Sequence, residues 1–70
     1  MNRSEALQTL RNQCNLISSE ITRMHPVIPT LEHPQTQSEI LKALFELTKQ
    51  VEVVKKHLIR LEKSDDSTLL

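Results

Sequence analysis

The chain has 70 residues, 9 basic and 9 acidic side chains, one aromatic residue and no glycine. A chain this short makes one small domain with little room for an enclosed core. Without glycine it carries no Walker loop, dinucleotide fingerprint or nucleophile elbow, and zero net charge gives no long-range field to gather nucleic acid or anionic lipid.

The first segment, Met1-Asn2-Arg3-Ser4-Glu5, meets an acid early and leads into no apolar run of signal-peptide length. Leu7, Leu10, Cys14, Ile17, Ile21 and Met24 then recur at alternating spacings of three and four. That is a heptad stripe and predicts a helix over 3–24, since a strand would need a period of two. Asn2 with Glu5 forms an N-cap and N3 acid pair at its start. Pro26 is expected to end the helix by disfavouring helical backbone at His25.

A connector over 25–36 follows, His25-Pro26-Val27-Ile28-Pro29-Thr30-Leu31-Glu32-His33-Pro34-Gln35-Thr36, stiffened by three prolines. Ile28 and Leu31 keep the heptad register of the first helix. Val27, Ile28 and Leu31 therefore either close the open end of a helical pair or form a rigid apolar loop that binds a partner. The two His-Pro pairs, at His25 and His33, lack further ligands for a metal. No metal or other cofactor is expected.

The second stripe is longer. Ile40, Leu44, Leu47, Val51, Val54, Leu58 and Leu61 recur at four and three, which predicts a helix over 37–63 opened by a Thr36 and Glu39 capping pair. The remainder, 64–70, reads as a flexible tail. The expected fold is all-α: an antiparallel two-helix hairpin of coiled-coil type, completed to a helical bundle by oligomerisation or by a partner.

Chemistry finds few candidates. Cys14 lies on the apolar stripe, where a helix-interior thiol acts as a small hydrophobe, and being the single cysteine it forms no internal disulfide. His57 flanks Leu58 and is read as a partly solvated side chain. No Ser/His/Asp group has a scaffold to hold it, so no enzyme activity is expected. With no stretch near the roughly 18 apolar residues of a membrane span, the expectation is a cytoplasmic protein without a membrane or small-molecule partner.

Binding is the better reading. The second helix carries Leu41, Phe45, Val53 and Ile59 outside its heptad stripe, so its apolar face is wider than one neighbour can cover. These four, with Val27, Ile28 and Leu31, are the candidate partner-binding residues, the partner being another protein or a second copy. The alternative is a homodimeric helical-hairpin regulator of RNA. Lys42, Lys49, Lys56 and Lys63 recur every seven residues along the outermost line of the second helix. Interleaved glutamates, and the lack of stacking aromatics apart from Phe45, speak for a solvated ion-paired surface instead.

The stretch Leu31-Glu32-His33-Pro34-Gln35, followed by the helix bearing Leu41, Leu44 and Leu47, resembles the turn and second helix of the small α-hairpin co-chaperones of type III secretion needle subunits. In that family an aromatic residue often follows the turn; here Thr36, Gln37 and Ser38 stand there. The resemblance implies a heterodimeric or heterotrimeric complex that keeps an aggregation-prone subunit soluble. The two-helix sporulation-phosphatase regulators are similar in architecture, but their motif places an aspartate four residues after a serine. Here Ser38 is followed by Lys42.

Overall fold

The computed structural model describes the backbone of residues 1–68 and the side chains of residues 1–64. Two helices form an antiparallel hairpin, α1 over Arg3–Met24 and α2 over Pro34–Thr68, with a short 3-10 turn over Ile28–Leu31 between them. There is no strand among the described residues. Helical backbone thus extends into the segment read as a tail, and Leu69 and Leu70 lie outside the described residues.

Local chemistry sets the ends of α1. Asn2 caps it, its Oδ1 accepting from the Glu5 N–H at 2.8 Å, which satisfies one of the free amides of the first turn. At the other end His25 keeps helical angles, φ −53° and ψ −49°, so Pro26 does not act by displacing its neighbour as the sequence suggests. The helix stops because proline has no N–H to give to the carbonyl four residues back. The chain then tightens, with the Val27 N–H donating to the Met24 carbonyl and the Thr30 N–H to the Val27 carbonyl, each at 3.0 Å.

The turn ends at Glu32, which takes left-handed angles, φ 53° and ψ 38°. A chain with no glycine meets this turn with a residue that has a Cβ, at a cost of about 1 kcal/mol. Then α2 opens at Pro34, three residues before the start read from the sequence. Proline suits the first helical position because its missing N–H would have no partner there. The cap is His33, whose Nδ1 accepts from the Thr36 N–H at 3.2 Å; Thr36, expected as the cap, already lies inside the helix. Gln37 ties the turn to α2 by donating from Nε2 to the Ile28 carbonyl at 3.2 Å.

The core is thin. Leu7, Cys14, Val51 and Leu58 form one buried cluster, and Ile21, Ile28 and Leu44, with Ile40 packed against them, form another. Among the described residues, every buried one lies on one of two lines of period seven, Leu7/Cys14/Ile21/Ile28 and Leu44/Val51/Leu58. The companion lines of the two heptad stripes, Leu10/Ile17/Met24/Leu31 and Leu47/Val54/Leu61, are left 40–50 % exposed. Only half of each stripe is buried, because two helices meet along a single line of contact. The result is a rod of 56 × 18 × 14 Å. Its radius of gyration, 16.6 Å, compares with about 11 Å for a globular domain of this length.

Candidate functional site

The two half-exposed lines face the same side of the hairpin. On each helix they stand three residues after the buried line, and in an antiparallel pair equal offsets project to one side. A shallow depression lined by Met24, Val27, Leu31 and Ile40, with the ion-paired Glu20 and Arg23 at its edge, joins the two lines beside the turn. Below it the face continues through Ile17 and Leu47 to Leu10, Val54 and Leu61.

The positions four residues after the buried lines define the other side, and they are mostly polar: Arg11 and Ser18 on α1, Thr48, Lys55 and Glu62 on α2. Arg11 and Glu62 form an ion pair across the helices there. One side of the rod is therefore mostly apolar from the turn to Leu10 and Leu61, and the other is polar except at the turn end.

The residues singled out from the sequence divide among three surfaces. Leu41 and Phe45 stand one turn apart on the polar-side flank of α2, with Phe45, the only aromatic residue, 73 % exposed. Leu41 also lines a depression with His25, Pro29 and Pro34. Ile59 shares the heptad position of Phe45, but Glu52 lies between them, and it borders a separate hollow with Arg11, Asn15 and Lys55. Val53 is exposed and stands about 80° around the helix from Phe45. Val27 and Leu31 belong to the apolar side, whereas Ile28 is buried and plugs the turn end of the core. The seven residues are thus not one patch.

The exposed line Leu10/Ile17/Leu47/Val54 is absent from the residues singled out from the sequence, which on the second helix are those outside the heptad stripe. A signal was present: apart from Glu20, the positions bordering this line are small or uncharged, Ala6 and Gln13 on α1, Ala43, Gln50 and His57 on α2.

Lys42, Lys49, Lys56 and Lys63 are exposed on the back of α2. Lys42 lies 3.8 Å from Glu39, and Lys49 lies 3.6 Å from Glu46, each one turn away, as does Lys55 from Glu52 at 3.8 Å. Two of the four lysines in this row, Lys42 and Lys49, are thus paired with glutamates of their own helix. Among the described residues there is no group of three or more His, Cys, Asp or Glu that could hold a metal ion, and no helix is long and apolar enough to cross a membrane. Cys14 is buried with its thiol free. No family model matches the chain, and no curated protein and no solved structure matches it.

Proposed function

We propose that this chain is a small non-enzymatic protein-binding module, an adaptor, co-chaperone or regulator acting in the cytoplasm. The observation that carries the reading is Phe45. It is the one aromatic side chain, it projects from α2 within the helix interior, and it makes no contribution to the buried core. Aromatic side chains held this way supply large contact area at small entropic cost, which is why they dominate binding hot spots. Leu41, one turn away, and the hollow it lines beside Pro29 and Pro34 offer a place for an apolar side chain of the partner.

The co-chaperone resemblance is one specific form of this reading, in which the partner is an aggregation-prone subunit. RNA binding through the lysine row is the weaker reading, since the paired glutamates reduce the field a phosphate backbone would meet.

The test is affinity capture with the wild type and with Phe45→Asp, scored by quantitative mass spectrometry, alongside far-ultraviolet circular dichroism of both. The proposal expects a reproducible partner to be lost with Phe45→Asp while helix content is unchanged. A partner set indifferent to Phe45→Asp contradicts it.

A further inference from the structure

We infer that the apolar side of the hairpin is the interface with a second copy of this chain, closing a four-helix bundle. Three observations converge on that occupant. The first is area. Leu10, Ile17, Met24, Val27, Leu31, Leu47, Val54 and Leu61 are each left 40–60 % exposed, about 600 Å² of apolar surface in all. Two such faces remove about 1,200 Å² from water, the lower bound of a stable interface before any border residue is counted.

The second is charge. From Leu10 to Leu31 and from Leu47 to Leu61 the exposed lines contain no charged residue, Arg3 standing one heptad before Leu10. Of the border positions Ala6, Gln13, Glu20, Val27, Ala43, Gln50 and His57 only Glu20 carries a formal charge, and it pairs with Arg23 at 3.0 Å. Charged residues are depleted from the centres of interfaces because desolvating them is costly. Much of the charge lies elsewhere: Lys42, Lys49, Lys56 and Lys63 occupy the back of α2, and the Arg11–Glu62 pair lies on the opposite side of the rod.

The third is self-complementarity. Both helices contribute to the face with the same seven-residue repeat, and they run antiparallel. A two-fold axis in the plane of the face therefore lays two lines of identical period against two others, with every neighbouring helix antiparallel. That is the arrangement in which a bundle core closes with no line left over. The surface around Phe45 stays outside this interface, so the dimer does not depend on the partner-binding role proposed above.

The experiment is the molar mass by light scattering of the wild type and of Ile17→Glu/Leu47→Glu. Asn12→Glu/Ser19→Glu adds the same charge to the far side of α1 as the control. The wild type is expected at twice the chain mass of 8.1 kDa, and the control likewise. The Ile17→Glu/Leu47→Glu variant is expected to raise the dissociation constant by at least about 100-fold. A wild type of single-chain mass at about 100 µM, well above the dissociation constant of a stable interface, overturns the inference and leaves the face to a different protein. Should the glutamate variant not fold, isotope-filtered NMR on mixed labelled and unlabelled wild type decides. Contacts between copies are expected from the methyl groups of Ile17, Leu47 and Val54; contacts carried by Ile59 and Phe45 instead contradict it.

Discussion

Leu44 and Leu47 stand three residues apart on α2, yet the first is 2 % exposed and the second 50 %. Both are leucines on the same heptad stripe, so their difference comes entirely from what the hairpin places opposite them. Leu44 meets Ile21 and Ile28, while Leu47 meets no third helix within the chain. The contrast repeats along both helices, and it separates what one hairpin completes from what it leaves open.

Truncation separates the two positions. Leu44→Ala is expected to cost about 2–5 kcal/mol at any concentration, because it opens a cavity in a core that has only seven buried side chains among the described residues. Leu47→Ala is expected to cost less than about 1 kcal/mol in the dissociated chain, and more once the concentration favours association. Urea denaturation of both variants at two protein concentrations a hundredfold apart checks this. Equal costs, independent of concentration, contradict it.

The left-handed turn at Glu32 makes a stabilising substitution available. Glu32→Gly is expected to raise stability by up to about 1 kcal/mol by relieving the Cβ contact at φ 53°. Glu32→Val is expected to lower it, since a β-branched residue tolerates that region least. Thermal unfolding of the two variants beside the wild type measures the order, and a glycine variant less stable than the valine variant refutes the local account.

Gln37 provides a second check on the turn. Its Nε2 reaches the Ile28 carbonyl in a partly buried setting, so Gln37→Ala is expected to cost about 1 kcal/mol. Gln37→Glu, which replaces the donor by an acceptor facing that carbonyl, is expected to cost more. Chemical denaturation of both variants gives the comparison.

Much of this architecture is legible in the sequence. The heptad stripes give two helices and an antiparallel hairpin, and Asn2 with Arg3 to Met24 gives α1 with its cap. Two things are not written there. A heptad pattern marks two lines of apolar residues without saying which line faces the sister helix, because a hairpin buries one while a bundle buries both. The start of α2 is hidden as well: Pro34 looks like an interruption until His33 is seen capping the helix from before it. Among the candidate binding residues, exposure of Leu41, Phe45, Val53 and Ile59 follows from their departure from the stripe. Burial of Ile28 and exposure of its neighbour Val27 depend on the 3-10 turn, which three prolines in a row of apolar residues do not announce.

The lysine row gives a prediction of absence. With Glu39 and Glu46 beside Lys42 and Lys49, retention of structured RNA is expected to vanish by about 150 mM salt. Lys49→Glu/Lys56→Glu is expected to change nothing at that ionic strength. Filter binding across a salt series checks both statements, and tight retention that the double substitution abolishes would restore the RNA reading.

A second copy covering the apolar side of the hairpin, as inferred above, ties the stability of this chain to its concentration. The most direct measurement is the thermal midpoint of the wild type at concentrations from about 1 to 100 µM, because unfolding coupled to dissociation makes the midpoint rise with concentration. A midpoint that climbs steadily across that range is the result predicted. A midpoint that does not move, in a sample whose mass stays at that of one chain, would contradict it.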